Sequence, residues 1–339
     1  MTIIKDSCLT QTDALPFFSK LNPDEIESTV KQTIADNKAL IEQKLAELDT
    51  YTWDNFVAVL DEADDHLGKI WSPVSHMNAV VSNDKLRAAH DACLGLFSEY
   101  GTFVGQHQGL YEAYLSIANS PEFAQLKGEQ QKVINNALRD FKLAGIALSD
   151  DKKQRYGEIK QQLSQLQSSF SNNVMDATLA WSKLVTDIDT LAGLPKTAIA
   201  AAKQAAEEKE LEGYLFTLDF PSYLAVMSYA ENRELREEVY TAFATRASDQ
   251  GPNANEFDNS DIIEEILALR YELAQLLDFQ DFGEYSLATK MAEKPSQVID
   301  FLNELAEKST KQAEQERDQV LAFAKQKDGL DKLQAWDLS

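Results

Sequence analysis

The sequence predicts an all-α protein, a multi-helix antiparallel bundle carrying one small two-stranded β element near 183–187 and 214–218. Three observations carry this reading. Gly and Pro number only 13 and 8 in 339 residues, well below average shares of about 7% and 5%, so turns and kinks are few. Helix-start signatures recur along the chain, each followed by apolar residues at three- and four-residue intervals. Only two short segments alternate in the manner of strands. With 44% apolar and 26% charged residues, the composition is that of a folded body. At roughly 150 residues per domain the length corresponds to about two domains or one large one. We read one helical domain over 1–339, divisible into sub-bundles 1–128 and 129–339.

The elements follow in order. Asn22-Pro23-Asp24-Glu25 sets an N-cap at Asn22, proline at the first helical position and Glu at the capping-box position. Ile26, Val30, Ile34, Ile41, Leu45 and Leu48 then recur at helical spacing. Thr52 opens a second helix with Phe56, Leu60 and Leu67 on one side. It is expected to stop near Ser72-Pro73, because the residue before proline resists αR geometry. Ser82 or Asn83 caps a third helix carrying Leu86, Ala89, Cys93, Leu96 and Tyr100, and Gly101, Gly105 and Gly109 then predict a loop or broken helix. After Ser149, the residues Tyr156, Ile159, Leu163, Leu166, Phe170 and Val174 form the strongest packing seam. Its expected antiparallel partner is the preceding segment with Val133, Ile134, Ala137, Leu138 and Phe141.

Lys183 to Thr186 and Tyr214 to Leu218 read as the two strands, with an Ala-rich helix from Pro195 to Glu210 between them. Helices resume at about 221–229, 232–247, 260–277 and 295–327. Residues 248–259 form the clearest loop, ending in an N-cap at Asn259 or Ser260. In the last helix Val298, Phe301, Leu302 and Leu305 make an apolar face. Glu307 to Gln319 is polar all round, as in a helix that is exposed, bridges elements or lines a wet cavity.

Charge excludes some functions. Lys and Arg number 32 against 56 Asp and Glu, a formal net charge of −24. A body this acidic repels a phosphate backbone and an anionic membrane surface, so neither nucleic acid nor membrane is an expected partner. Cys8 and Cys93 form no disulfide framework and no metal spacing, and read as free thiols in a reducing compartment. The N-terminal segment carries Lys5, Asp6 and Asp13 and no apolar core of a leader, and no run of about 18 apolar residues occurs. The expected location is the cytoplasm.

The chemistry is sparse. His66, His76, His90 and His107 are the only histidines, and none stands in a His-Glu-x-x-His motif. No nucleophile elbow, phosphate loop or dinucleotide fingerprint is present. The one ligand-like run is Asp61-Glu62-Ala63-Asp64-Asp65-His66. On a helix Glu62 and His66 are four apart and able to share a cation, as Asp61 and Asp65 are stacked; the plain alternative is a solvated acidic face. Trp71-Ser72-Pro73-Val74-Ser75-His76 reads as a binding loop or a helix–helix turn with a buried Trp, and 248–259 as a functional loop or a simple connection. No catalytic, cofactor-binding or metal-ligating residue is assigned. The residues alone leave a helical scaffold or binding protein, or part of an enzyme whose active site lies elsewhere.

Longer phrases decide between these. They include Tyr51-Thr52-Trp53-Asp54-Asn55, Ile70-Trp71-Ser72-Pro73-Val74-Ser75-His76, Asn136-Ala137-Leu138-Arg139-Asp140-Phe141 and Gln154-Arg155-Tyr156-Gly157-Glu158-Ile159. Thr245-Arg246-Ala247-Ser248-Asp249-Gln250-Gly251-Pro252-Asn253-Ala254 and Ser286-Leu287-Ala288-Thr289-Lys290-Met291-Ala292-Glu293 extend the set. Through them nearly the whole chain resembles the thimet-oligopeptidase family of zinc metallopeptidases. The resemblance implies two largely helical halves flanking a deep channel, with zinc held on the His-Glu-x-x-His helix and short unfolded peptides, degraded signal peptides included, as substrates. None of those motif residues falls within this chain. The resemblance therefore implies an N-terminal channel wall with the catalytic domain absent, zinc bound by residues outside the chain, that domain as partner, and no activity by this chain alone. The alternative is a stand-alone acidic helical scaffold or peptide-binding protein.

Overall fold

Asn22 starts the first helix as its position dictates. Its side chain accepts the Asp24 amide at 3.2 Å, and α1 runs Pro23–Glu47. Glu25 takes the Asn22 side-chain amide at 3.1 Å, so the two side chains pair with each other. The computed structural model describes residues 8–11 and 15–338; the leader reading at Lys5, Asp6 and Asp13 falls outside them. Among the described residues there are twelve α-helices and one two-stranded sheet, as the all-α expectation requires. No helix among them is long and apolar enough to cross a membrane.

Thr52 and Asn55 close a reciprocal capping box, each side chain accepting the other's amide at 3.2 and 2.9 Å. One π-type turn, Trp53–Val57, leads into α2, Ala58–Val80. The expected stop at Ser72-Pro73 does not occur, because α2 continues through Pro73. A mid-helix proline costs about 3 kcal/mol. Ile70 and Val74 beside it are fully buried, and each burial of that size contributes roughly 1.5–3 kcal/mol, so core packing outweighs the break. Asn83 caps α3, Asp84–Gly105, accepting the Leu86 amide at 3.1 Å. Gly101 is interior to α3, and the expected glycine break shrinks to Gln106 and His107 before α4, Gln108–Ala118.

The chain forms two compact units, one of the described residues up to Ser168 with Leu269–Phe279, the other of Ser169–Ala268 with the described residues from Gln280. In the first, α1 packs on α2, α3 and α4. Ile26, Val30, Ile70, Val74, Leu86 and Cys93 make one apolar cluster there. In a second cluster, Ile134 and Phe141 of α5, Gly128–Leu143, join Phe56, Leu110 and Ile117. The face of α5 packs on α4, ahead of the seam expected to pair with it. That seam belongs to α6, Asp150–Ala180. It lies against α3 through two glycines: a Cβ at Gly157 would stand 3.4 Å from the Thr102 methyl, and one at Gly95 would stand 3.5 Å from the Gln161 amide.

In the second unit β1, Ser182–Val185, pairs antiparallel with β2, Tyr214–Thr217, Ser182 opposite Thr217 and Val185 opposite Tyr214. The helix between them, α7, is Lys196–Glu208 and packs on β2. Trp181, Leu191, Phe216, Leu218, Val226 and Val239 form the core with α8, Phe220–Tyr229, and α9, Arg233–Ala244. Beyond the loop comes α10, Ser260–Leu276, whose last turns belong to the first unit. The six-residue α11, Phe282–Leu287, is not foreseen by the periodicity; Asp281 caps it, accepting the Glu284 amide at 2.9 Å. Finally α12 spans Pro295–Asp328 and is ended by Gly329 at φ +70°.

Candidate functional site

The acidic run Asp61 to His66 lies on α2. Asp61, Glu62 and Asp65 are exposed, and Asp65 pairs with Lys69 at 2.7 Å. No three His, Cys, Asp or Glu side chains among the described residues converge on one point. This donor set does not fit a zinc ion.

Asp64 is exposed like these neighbours but differs from them in its bonds: its Oδ1 accepts the Tyr100 hydroxyl of α3 at 2.6 Å and the Asn37 amide of α1 at 3.4 Å. Asn37 also donates to the Ala63 carbonyl at 3.1 Å, which pins α1 to α2. These groups border a cavity of about 410 Å³ whose apolar lining includes Ile41, Leu60, Val104, Leu110 and Phe141. Burial raises the Asp64 carboxyl above its ordinary range against the opposing bonds from Tyr100 and Asn37. Tyr114 lines the same cavity, and burial, with the Asp64 and Asp61 charges adding to it, pushes its phenol up to about 12.

The segment Trp71 to His76 is neither loop nor turn, since it sits inside α2. Trp71 stacks on His90 with ring centroids 4.9 Å apart and meets Phe97 at 4.7 Å. His107 has a local task. Its Nδ1 accepts the Leu110 amide at 3.3 Å to start α4, which leaves Nε2–H to donate to Glu42 at 3.0 Å.

The 248–259 loop is tied down at its end. Asn259 is 1% exposed. Its Oδ1 accepts the Asn173 amide at 2.9 Å and its Nδ2 donates to the Phe170 carbonyl at 3.1 Å, both on α6. The expected cap therefore spends its side chain on a tertiary contact, and Asp258 accepts the Ser260 amide at 2.9 Å instead. Thr178 takes a bond from Arg246 at 2.8 Å, and the Arg246 guanidinium lies 3.7 Å from the Phe243 ring centre.

Two features escape motif reading. The Asp337 side chain is 3% exposed and accepts from Arg233 at 2.9 Å through both oxygens and from Arg236 at 3.1 Å. These bonds, with the Gln334 amide at 2.9 Å, hold its carboxyl at about 2. A partner a hundred residues away leaves no local signal. The other feature is α12 itself. Phe301 and Phe323 are each 63% exposed, Val298, Leu302 and Leu305 are exposed as well, and only Ala324 of that helix is buried. The apolar face read from the sequence is present and largely exposed, although α12 touches α11.

Comparison with known proteins places this architecture. Residues 29–153 match the Neurolysin/Thimet oligopeptidase N-terminal domain, and residues 226–339 match peptidase family M3. The chain is 54% identical over 325 residues to Oligopeptidase A of Escherichia coli (strain K12), covering 96% of this chain and 48% of that protein. It is 53% identical over 330 residues to Oligopeptidase A of Haemophilus influenzae, covering 97% and 48%. To the Probable cytosolic oligopeptidase A of Arabidopsis thaliana it is 36% identical over 317 residues, covering 89% and 44%. The chain spans about half the length of the curated relatives it matches. Its helical architecture, its two family matches and this sustained identity together place the chain in peptidase family M3.

Proposed function

We propose that residues 1–339 form the N-terminal helical wall of a substrate channel in a zinc-dependent oligopeptidase of the cytoplasm. The substrates are short unfolded peptides, degraded signal peptides among them, and the wall excludes folded proteins by size. The observation that carries this reading is the identity of 53–54% to Oligopeptidase A over nearly the whole chain. Two further facts support it. The chain lacks a His-Glu-x-x-His motif, so the zinc is held by residues outside it. The exposed apolar face of α12 suits docking of the catalytic half. Neither nucleic acid nor membrane is a partner of a body carrying −24.

A peptidase assay tests the reading. The 339-residue chain with added zinc is expected to leave a quenched fluorescent peptide intact, and to support cleavage once the remaining half is supplied. Chelator-sensitive cleavage by this chain alone would overturn it. In the complete enzyme, shortening the 248–259 loop is expected to relax the preference for short peptides over a folded substrate; unchanged selectivity removes that loop as a gate.

A further inference from the structure

The cavity between α1, α2, α3, α4 and α5 has a composition that the channel-wall reading does not use. It holds about 410 Å³, within the size range of small-molecule sites, roughly 300–1,000 Å³. Its lining is mostly apolar, it includes the carboxylates Asp64 and Asp140, and it contains no Lys, Arg or His. Asp140 is neutralised from outside by Arg139 at 2.8 Å. Asp64 has no cationic partner: both of its bonds fall on Oδ1, from neutral donors, and Oδ2 receives no hydrogen bond among the described residues. The Tyr114 hydroxyl also makes none there, and its titration feels Asp64. Space is built in at Gly101, which lines the cavity and whose added Cβ would meet nothing within 4 Å.

We propose that this cavity is a binding site for a small molecule with an apolar body and a protonated amine, the amine seated on Asp64 and the body against Leu60, Val104 and Phe141. An ammonium supplies donors to Asp64 Oδ2 and the Tyr114 oxygen at the open rim of the cavity, and a charge-assisted bond to a carboxylate is stronger than a neutral one. The surrounding acidic field raises the local concentration of such cations. Free hydrophobic amines and the N-terminus of a peptide with an aromatic first residue share this chemistry. The inference stands independently of the peptidase reading.

Isothermal titration of the 339-residue chain tests it, with phenylpropylamine, the neutral phenylpropanol and the tripeptide Phe-Gly-Gly as probes. Saturable binding of phenylpropylamine is expected, with phenylpropanol weaker by about tenfold or more. Asp64→Asn is expected to weaken the amine by about tenfold while leaving phenylpropanol unchanged. Gly101→Leu, which fills the space without a backbone clash, is expected to abolish binding of both while the circular dichroism spectrum is retained. Binding of Phe-Gly-Gly alongside phenylpropylamine assigns the site to peptide N-termini as well; its absence assigns it to free amines. The proposal is overturned by no saturable amine binding, by equal affinity for phenylpropanol, or by an unchanged affinity in folded Gly101→Leu. The last two arms decide the matter even where Asp64→Asn fails to fold.

Discussion

Replacing Asp337 with Asn isolates one charge that holds the final turn, residues 335–337, onto α9. The carboxylate accepts four bonds between 2.9 and 3.1 Å, two from Arg233, one from Arg236 and one from the Gln334 amide, and Arg236 also donates to the neighbouring Trp336 carbonyl at 3.0 Å. Its pKa falls from 3.8 to about 2, which corresponds to an upper limit on the order of 2 kcal/mol favouring the docked, ionised form. Water reaches the Arg233 side, 37% exposed, so the net loss in Asp337→Asn is expected at about 1–2 kcal/mol. That is a factor of roughly 5–30 in the local opening equilibrium. Amide hydrogen exchange at Asp337 and Leu338, whose N–H groups bond Gln334 and Ala335 at 3.0 and 3.3 Å, reads that factor directly. Because the native pKa is depressed, the contribution is complete above the unfolded value near 3.8 and fades as pH falls toward about 2. The difference between wild type and variant must therefore narrow in acid. Equal exchange rates at neutral pH, or a gap that widens on acidification, would refute the argument.

Three other substitutions or probes give distinct outcomes. Gly193→Ala places a side chain at φ +87° and drives its Cβ into the Tyr229 carbonyl; a loss of about 2–4 kcal/mol is expected in the urea unfolding of the second unit, and a neutral result contradicts the geometry. Asn259→Ala strips both bonds to α6 and leaves the Phe170 carbonyl and the Asn173 amide without their partner; roughly 1–3 kcal/mol of destabilisation is expected by the same measurement. Burial pushes the Cys93 thiol up to about 12, so intact-mass analysis after alkylation at pH 8 should show Cys93 unmodified until the chain is unfolded; labelling in the native state would contradict its burial.

Short-range rules carried much of the fold and little of the cavity. Asn22-Pro23, Thr52 and Asn83 each start a helix where their capping chemistry places it, because a cap is decided within three residues. Pro73 and Gly101 mislead for the converse reason: their local cost is real, but it is set against burial of Ile70, Val74 and Tyr100 that no local window contains. The α5 face was legible as apolar, yet which neighbour covers it depends on the placement of Phe56 and Leu110. The Asn37, Asp64 and Tyr100 group joins three helices, and the acidic run around Asp64 disguises the one member that bonds across them. Asp337 and its arginines are equally invisible until the chain is folded.

The exposure of α12 over most of its length has a thermodynamic consequence. A helix of 34 residues is about 51 Å long, and ordinarily its stability is lent by a packed face. Here Pro295 to Gln319 draws on intrinsic helix preference and on side-chain pairs one turn apart, such as Lys308 with Glu304 and Gln312 with Glu316. Such a rod loses helicity gradually and from its ends as temperature rises, ahead of the cooperative transition of the clusters around Phe56 and Phe216. Its pairs weaken with added salt. Burial of Phe301, Leu302 and Leu305 against a partner would convert that graded melting into part of a single cooperative unit.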